Sequence, residues 1–293
     1  MSNSKMSFEE IKADKEKFLN LYGIKDKFNE QKLYSWEDLL EIGEDYEQKR
    51  NNEYFQYIQE YIAEISKFEN VHSYRYRIKT TDSLLVKIIT KHSIEGKKIT
   101  KENYFKKISD LLGIRILYIF KNDYLSIHKQ IMEKYGDQLA ENVHLKLRDG
   151  DEEKTYAEMI ANDDIKVERN KVYRSIHYTF YAKQDQIKET PKIEIQTRTI
   201  FEEGWSEINH KLVYKKNIDA HSHLEKVSGI LSELIGSCDA IGSLMKYIYE
   251  ESTESIGEGI IESNKHSSLT PQIASERDQI VGDAIRKFLL NKQ

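Results

Sequence analysis

The sequence is poor in cysteine, proline and glycine. Its single cysteine, Cys238, excludes an intramolecular disulfide framework and a zinc site built from cysteines, and it suits a reducing compartment. Two prolines and thirteen glycines exclude collagen-like and proline-rich architectures. No apolar run approaches the roughly 18 residues that a membrane span needs, so we expect no membrane partner. The N-terminus has no apolar signal core, and a cytoplasmic location is therefore expected.

Charge is plentiful but unevenly distributed. The net charge of −5 argues against a protein that coats DNA non-specifically. Residues 71–107 nevertheless hold ten Lys and Arg against three Asp and Glu. Such a basic island in an acidic chain indicates either a focused anion site or an ordinary solvated face. With 39% hydrophobic residues, the 293-residue chain has enough apolar material for one large domain or two modest ones.

Changes in periodicity divide the chain into four segments. Residues 1–70 have helical spacing with a capping box at Ser7, and we expect a helical flank. Residues 71–216 alternate between strand and helix patterns and form the expected core. We predict one long helix packing on that core over 217–250, followed by a linker and a terminal helix over 251–293.

The first strand pattern carries a row of cations. In residues 74–79 the side chains alternate, so Arg75, Arg77 and Lys79 share one face. Side chains on one face of a strand repeat about every 7 Å, a spacing that suits a polyphosphate better than a single carboxylate. Because plain edge strands also carry Lys and Arg, this row alone does not establish an anion site.

Three further segments read as strands. The near-continuous apolar run 113–120 predicts a buried central strand. Residues 173–181 and 192–198 alternate, and each has one consistently polar face. A polar face repeated on several strands means either contact with water or a functional cleft.

The helices between the strands are predicted from caps and stripes. Ser83 fits the N-cap of a helix that ends near Gly96, and Thr199 with Glu202 forms a capping box. Residues 141–170 are polar and acidic, with weak signals of order. Core positions are expected at Trp205, Ile208, Leu212, Leu224, Val227, Leu231, Leu234, Cys238, Ile241, Met245 and Ile248.

Two isolated carboxylates lie in or beside the predicted strands. Asp110 precedes the central strand, and Glu194 stands between two isoleucines. A carboxylate there is costly to bury unless it is paired with a cation or bound to a metal. Magnesium prefers one or two carboxylates together with phosphate oxygens and water, which fits phosphoryl-type chemistry. Pairing of Glu194 with Lys192, Arg198 or a cross-strand cation is the structural alternative. The sequence contains neither of the two glycine-rich phosphate-binding motifs, GxxxxGK[ST] and GxGxxG. Side chains must therefore hold any nucleotide.

Five motifs then follow one another in an order found in one known family. They are Arg77-x-Lys79-x-x-x-Ser83-x-x-x-Lys87, Asp110-Leu-Leu-Gly113-Ile-Arg115, Tyr173-Arg-Ser175-Ile-His177, Glu194-Ile-Gln196-Thr-Arg198-Thr199, and Trp205 with His210-x-x-x-Tyr214-Lys215. One such match would be weak, but five in order over residues 77–215 are specific. The chain resembles the synthetase domain of the RelA/SpoT family, the alarmone synthetases or GTP pyrophosphokinases.

The resemblance implies a fold, a reaction and a set of roles. The fold is α+β, a mixed sheet flanked by helices and related to nucleotidyltransferases. The reaction transfers the β,γ-pyrophosphate of ATP to the ribose 3′-hydroxyl of GDP or GTP, giving (p)ppGpp and AMP with Mg²⁺ as cofactor. The implied roles are metal binding by Asp110 and Glu194, with Glu194 also as base; ATP binding by Arg77, Lys79, Ser83, Lys87 and Arg115; stacking on the acceptor base by Tyr173; and acceptor contacts by His177, Gln196, Arg198 and His210.

Departures from the family pattern leave the acceptor open. A Pro-Lys-x-Asn-Gly stretch common in the family is replaced by residues 167–172, with Val172 in the place of the glycine. Some small family members pyrophosphorylate tRNA 3′ ends or adenosine nucleotides and are toxic, which would imply an antitoxin. The basic flank 97–107 would then contact RNA. An inactive nucleotide-binding regulator is the remaining alternative. Small members can also be tetramers, so a homo-oligomer is compatible with the resemblance.

Overall fold

The structure is a computed structural model that describes residues 5–92, 98–151, 153–183, 190–212 and 221–263. The chain forms two compact units, each described separately below. The first comprises Met1–Leu117 and Leu125–Arg198, and the second comprises Tyr118–Tyr124 and Thr199–Gln293. The predicted terminal helix, residues 272–290, lies outside the described residues, as do Tyr214 and Lys215.

Five helices form the N-terminal part of the first unit, as predicted. They are α1 (Phe8–Ala13), α2 (Lys15–Leu21), α3 (Lys25–Glu30), α4 (Trp36–Arg50) and α5 (Glu53–Ile65). The capping box at Ser7 is confirmed, because its hydroxyl accepts from the Glu10 N–H while the Glu10 carboxylate accepts from the Ser7 N–H. Gly43 of α4 permits the close approach of Phe8, since a Cβ atom there would lie 2.4 Å from the Phe8 ring.

A six-stranded mixed sheet organises the first unit and confirms the predicted fold class. Its strands are β1 (Ser73–Ile78), β2 (Leu112–Tyr118), β3 (Leu139–Arg148), β4 (Ile165–Asn170), β5 (Ser175–Tyr181) and β6 (Lys192–Thr199). The spatial order is β1-β2-β6-β5-β3-β4. The β1–β2, β3–β5 and β5–β6 pairs are antiparallel, whereas β3 and β4 are parallel. The last strand of the sheet in sequence thus lies near its centre.

Four helices connect the strands. They are α6 (Thr81–Lys87), α7 (Tyr104–Lys107), α8 (Tyr124–Tyr135) and α9 (Ala157–Asn162). The predicted N-cap at Ser83 is wrong: Thr80 is the N-cap residue, and Ser83 lies inside the first turn of α6. Helix α6 continues into a π-helical turn, Ile88–His92, which no feature of the sequence pattern predicted.

The expectation of weak order over residues 141–170 is also wrong. This region forms β3, α9 and β4, because Val143, Leu145 and Leu147 alternate along β3 and are buried. One of the acidic residues behind that expectation, Asp151, is paired with an arginine. The Asp151 carboxylate accepts two hydrogen bonds from the Arg174 guanidinium, and both side chains are buried.

Two helices dominate the second unit: α10 (Ile200–Leu212) and α11 (His221–Ser263). The predicted capping box is confirmed by reciprocal bonds between Thr199 and Glu202 at 3.0 and 3.1 Å. Trp205 is buried and donates to the Ser228 carbonyl oxygen at 2.9 Å. Ile208 and Leu212, predicted to share its core stripe, are instead about half exposed, at 46% and 54%.

Helix α11 buries polar side chains and exposes apolar ones, the reverse of a helix that packs on a hydrophobic core. Its buried side chains are polar: Ser228, Ser232, Asp239 and Ser243. Its exposed side chains include Val227, Ile230, Leu234, Ile241, Met245 and Tyr249, which we call the apolar face of α11. The prediction of a core position is therefore wrong for Val227, Leu234, Ile241, Met245 and Cys238, which are exposed, whereas the predicted positions Leu224, Leu231 and Ile248 are partly buried. The helix also extends to Ser263, beyond its predicted end at residue 250.

Part of α11 meets the length and composition criteria of a membrane span. The stretch His223–Ser252 reaches a mean hydropathy of 1.2 over an 18-residue window. Serines and glycines spread among its apolar residues explain why no apolar run of that length was visible in the sequence. Buried helices of soluble proteins meet the same criteria, so one such helix is weak support for membrane insertion.

Candidate active site

A row of arginines lies on one face of the antiparallel β1–β2 pair. Arg77 is opposite Gly113, and Arg75 is opposite Arg115, so their side chains project to the same side of the sheet. Gly113 leaves room for Arg77, whose Cγ and Nε atoms lie 3.4 Å from the place where a Cβ atom of residue 113 would be. The structure therefore groups the basic residues that the sequence pattern placed on one face.

Asp110 lies where this row meets α6. Its Oδ2 atom accepts from Lys79 Nζ at 2.9 Å, and its Oδ1 atom accepts from Lys87 Nζ at 2.7 Å. All three side chains are mostly buried. Burial alone would raise the pKa of Asp110, but the two ammonium groups lower it to about 2, and the carboxylate is ionised. Each oxygen of the Asp110 carboxylate is thus paired with the ammonium group of one lysine.

Glu194 belongs to a closed ring of hydrogen bonds on the polar face of β5 and β6. The His177 Nδ1 atom donates to Glu194 Oε1 at 2.8 Å, and Gln196 Nε2 donates to the same oxygen at 3.1 Å. Arg198 Nη2 donates to Gln196 Oε1 at 2.8 Å and also to the Tyr173 hydroxyl oxygen. Tyr173 closes the ring through its hydroxyl, 3.1 Å from His177 Nε2.

The donors of this ring fit a neutral His177 beside an ionised Glu194. Burial lowers the pKa of His177, and the charges of Lys146 and Arg198 oppose the raising effect of Glu194. Burial is the largest single effect and raises the pKa of Glu194, but the interactions with His177 and Gln196 together outweigh it, and the net shift is downward. Glu194 is therefore paired with a histidine and a glutamine, and not with Lys192, whose Nζ lies 3.6 Å from Glu141.

The two carboxylates are close enough to influence each other. The negative charge of Asp110 opposes the lowering of the Glu194 pKa. No group of three or more His, Cys, Asp or Glu side chains that could hold a metal occurs among the described residues. Magnesium needs only one or two carboxylates when phosphate oxygens and water complete its shell. Asp110 and Glu194 therefore fit a magnesium ion that arrives with a polyphosphate.

The loop before β5 is held by residues that the motif analysis missed. Asn170 Oδ1 accepts from the Val172 N–H at 3.1 Å and from the Tyr173 N–H at 2.5 Å. Its Nδ2 atom donates to the Tyr173 carbonyl oxygen at 2.8 Å. An Asn side chain bonded in this way to the backbone of the residues that follow it fixes the turn before β5. The Asn three residues before Tyr173 was the available signal, whereas no local pattern indicated the Asp151–Arg174 pair.

The polar face also extends onto β3 and β4, which were not predicted as strands. His144 lies opposite His177, and Lys146 lies opposite Ser175. The His144 Nδ1 atom is 3.0 Å from a carboxylate oxygen of Glu168. Lys146 contributes a positive charge near His177. The polar face thus covers four strands, and it becomes visible only once β3 and β4 are recognised.

The remaining predicted residues are placed less centrally. The Ser83 hydroxyl accepts from the Thr80 hydroxyl at 2.8 Å on the first turn of α6. Arg198 is buried, and its guanidinium lies 4.8 Å from the centroid of the Tyr173 ring. His210 lies exposed on α10 of the second unit, and its predicted acceptor contact stays a prediction. In the basic flank 97–107, Lys97 lies outside the described residues, and Lys98 pairs with Asp38 at 3.1 Å.

Comparison with known proteins supports the resemblance. Residues 76–219 match the family model described as "Region found in RelA / SpoT proteins". The curated relative GTP pyrophosphokinase YwaC of Bacillus subtilis (strain 168) is 26% identical over 150 residues, which make up 50% of this chain and 60% of the relative. The chain therefore spans about 60% of the length of that relative. These matches confirm the resemblance that the five motifs indicated.

Solved structures of similar proteins were also found. Small alarmone synthetase 1 from Bacillus subtilis, bound to AMPCPP, has a TM-score of 0.48 at 18% identity, covering 70% of this chain and 97% of that one. A GTP pyrophosphokinase family protein from Streptococcus pneumoniae has a TM-score of 0.43 at 21% identity, covering 75% and 95%. The mixed sheet described above, and not these superpositions, establishes the fold class.

Proposed function

Residues 76–219 of this chain belong to the RelA/SpoT family, and from that premise we propose that the protein transfers the β,γ-pyrophosphate of ATP to the ribose 3′-hydroxyl of GDP or GTP. The 3′-oxygen attacks the β-phosphorus, the bond from that phosphorus to the oxygen bridging the α and β phosphates breaks, and AMP leaves. The proposal rests on one observation: the ionised Asp110, which is held by Lys79 and Lys87, lies close enough to a second carboxylate, Glu194, to affect its pKa. The similarity to YwaC, a GTP pyrophosphokinase, supports the same reaction.

The ATP side of the site is assigned to the basic residues. Arg77, Lys79, Ser83 and Lys87 contact the phosphates, and Arg115 lies against the adenine or the phosphates. Because Ser83 accepts a hydrogen bond from Thr80, its own proton can be donated to a phosphate oxygen. Magnesium held by Asp110 and Glu194 supplies neutralisation of the charge on the phosphate oxygens. Pyrophosphoryl transfer needs such positioning and charge neutralisation more than covalent help from the protein.

Glu194 accepts the ribose proton in this mechanism. Both hydrogen bonds from His177 and Gln196 end on Oε1, and Oε2 carries neither of them. We assign the proton of the 3′-hydroxyl to Oε2. The ring through Tyr173 and Arg198 fixes the plane of the Glu194 carboxylate. His177, Gln196 and Arg198 therefore orient Glu194, the general base, and they also line the acceptor side of the site.

Tyr173 provides the acceptor platform, which leads to a prediction. Replacing Tyr173 with Ala removes both the stacking surface and the hydroxyl that supports His177. A stacked base contributes about 1–3 kcal/mol, so we expect the KM for the acceptor to rise about 10- to 100-fold. The KM for ATP should change little. Steady-state kinetics with each substrate varied in turn measures this difference.

The matched control for this prediction is Tyr76→Ala. Tyr76 is exposed on the opposite face of β1 and packs near Phe55. The control should leave both KM values unchanged. Equal increases in the two KM values of the Tyr173 variant would contradict the stacking role.

The proposed activity is tested with purified protein, magnesium and ATP labelled on the γ-phosphate. GDP, GTP, AMP, ATP and bulk tRNA are offered in separate reactions, and the products are resolved by chromatography. Label on GDP or GTP supports the proposal. Label only on tRNA or on an adenosine nucleotide would instead establish the toxic alternative, with its implied antitoxin. No label on any acceptor would favour an inactive nucleotide-binding regulator.

A homo-oligomer is our proposal for the apolar face of α11. The six side chains of this face each expose more than half of their surface, and they extend over about 33 Å at 1.5 Å per residue. Apolar patches of this extent mark interaction sites, and a helix can pair with its own copy through one self-complementary face. The proposal commits to a second copy of this chain as the occupant.

Oligomerisation is tested by a double substitution, Leu234→Ser with Ile241→Ser. Light scattering should give a mass that is a multiple of 34.6 kDa for the original chain and 34.6 kDa for the variant. Leu21→Ser, at an exposed position of α2, is the control and should leave the mass unchanged. A monomeric original chain would contradict the proposal. Sedimentation with lipid vesicles would then support a membrane as the occupant.

A further inference from the structure

The segment between Lys79 and Ser83 is fastened to the N-terminal helices at three residues in a short stretch. The Tyr46 hydroxyl of α4 donates to the Lys79 carbonyl oxygen at 2.7 Å. The Thr81 hydroxyl donates to a Glu47 carboxylate oxygen of α4 at 2.5 Å. Asp82 is the third fastened residue. These bonds connect residues that are far apart in sequence, so they form only when the helical flank is in place.

Asp82 is the most heavily bonded of the three. Its side chain is 1% exposed, and its Oδ2 atom accepts from the Lys5 N–H at 2.9 Å and from the Tyr22 hydroxyl. Its Oδ1 atom accepts from the Ser83 N–H at 2.7 Å. Burial alone would raise the pKa of Asp82, but the hydrogen bonds lower it, so the buried carboxylate is ionised. A charge buried in this way keeps its position only while its donors remain.

The fastened residues alternate with the residues assigned to the ATP phosphates. The Lys79 side chain donates a hydrogen bond to Asp110, and the Lys79 carbonyl oxygen accepts one from the Tyr46 hydroxyl. Ser83 receives a bond from Thr80 at its hydroxyl and gives one to Asp82 from its backbone. The position of both phosphate-binding residues is therefore set by the backbone that Tyr46 and Asp82 hold.

From this arrangement we propose that Tyr22, Tyr46 and Asp82 are positioning residues of the ATP site, and that α4 and the residues flanking α1 and α2 are thereby a part of that site. The inference rests on the proposed function, because it assumes that Lys79 and Ser83 contact the phosphates. The geometry explains why a basic strand and a short helix suffice without a glycine-rich phosphate loop. Rigid neighbours replace the backbone cradle, and a displacement of about 1 Å in such a site can cost two orders of magnitude in rate.

Loss of a positioning residue should affect the KM of one substrate, whereas a general loss of folding should affect the KM of both. Asp82→Asn keeps the shape of the side chain but removes its charge, and Tyr22→Phe removes only the hydroxyl donor. We expect each variant to raise the KM for ATP about tenfold and to leave the KM for the acceptor within about twofold, since the polar face of β5 and β6 is not fastened by these residues. Because the two residues act on one bond, the double variant should show little more than the larger single effect.

The test combines kinetics with direct binding. Calorimetry measures the Kd of an ATP analogue with a methylene group between its α and β phosphates, in the presence of magnesium. Tyr61→Phe is the matched control: this buried hydroxyl of α5 bonds to the Tyr181 carbonyl oxygen and to Gln138, at 3.2 Å each, away from the phosphate segment. It should lower the Tm while leaving the analogue Kd unchanged.

Each outcome decides the inference. Weaker analogue binding in Asp82→Asn and Tyr22→Phe, with the acceptor KM preserved, supports it. Equal losses for both substrates, or a loss of Tm alone as in the control, overturn it. If Asp82→Asn does not fold, Tyr22→Phe and Tyr46→Phe provide the same comparison. An original chain that binds the analogue but transfers no label would refute the proposed function while the binding data still judge the positioning role.

Discussion

Glu194→Gln is expected to lower kcat about 10²- to 10⁴-fold while ATP still binds. Glutamine keeps the shape and the acceptor oxygen for His177 but cannot take the ribose proton, and loss of a general base has this magnitude. Single-turnover assays with labelled ATP measure the chemical step, and calorimetry with the ATP analogue measures binding.

The control for this substitution is Glu141→Gln. Glu141 lies on β3 and pairs with Lys192 at 3.6 Å, so the same chemical change occurs on the same sheet, two strands from Glu194. It should leave kcat within about twofold. Turnover retained in Glu194→Gln would remove Glu194 as the base.

Asp110→Asn should have two effects of opposite sign. Magnesium-dependent turnover should fall by at least about 10²-fold, because an amide is a poor magnesium ligand. Binding of magnesium-free pyrophosphate should tighten, because Lys79 and Lys87 lose the carboxylate that now neutralises them. We expect a gain of about tenfold, which corresponds to about 1.4 kcal/mol. Calorimetry with pyrophosphate in the presence of a chelator measures this binding.

Because turnover should fall while pyrophosphate binding tightens, a misfolded variant could not produce both effects. A damaged fold would weaken both turnover and pyrophosphate binding. Asp38→Asn, which breaks the surface pair with Lys98, should change neither. An unchanged magnesium titration in the Asp110 variant would contradict the metal assignment, and weaker pyrophosphate binding would contradict the masking of the two lysines.

The sequence was sufficient to predict which side chains share a face of a strand, because this follows from strand periodicity alone. Arg75 and Arg77 share a face because alternate side chains of a strand must, and the alternation of β5 and β6 placed His177 beside Glu194 and Gln196 on a common surface. Capping boxes were equally predictable, since both of their hydrogen bonds are local.

Features set by distant partners could not be predicted in this way. No motif in the sequence indicated a role for Asp82, because its partners, Tyr22 and the Lys5 backbone, lie far away in the chain. Asp151 added to the weak signals of order over residues 141–170 because its partner, Arg174, is twenty-three residues later. The face of α11 was misjudged for a related reason: periodicity shows that a helix has an apolar side, but not which side its neighbours cover.

The strand order also governs when the protein can acquire its chemistry during synthesis. Strand β6 is the last of the sheet to be made, yet it lies between β2 and β5. Until it emerges, the chain can form only β1 with β2, and β5 with β3 and β4, as separate pieces. Joining them brings Asp110 and Glu194 together across more than eighty residues, a loop closure whose entropy costs roughly 4 kcal/mol beyond a constant. Before β6 emerges, a nascent chain carries Asp110 but not Glu194, so the pair of carboxylates forms only in a late folding step.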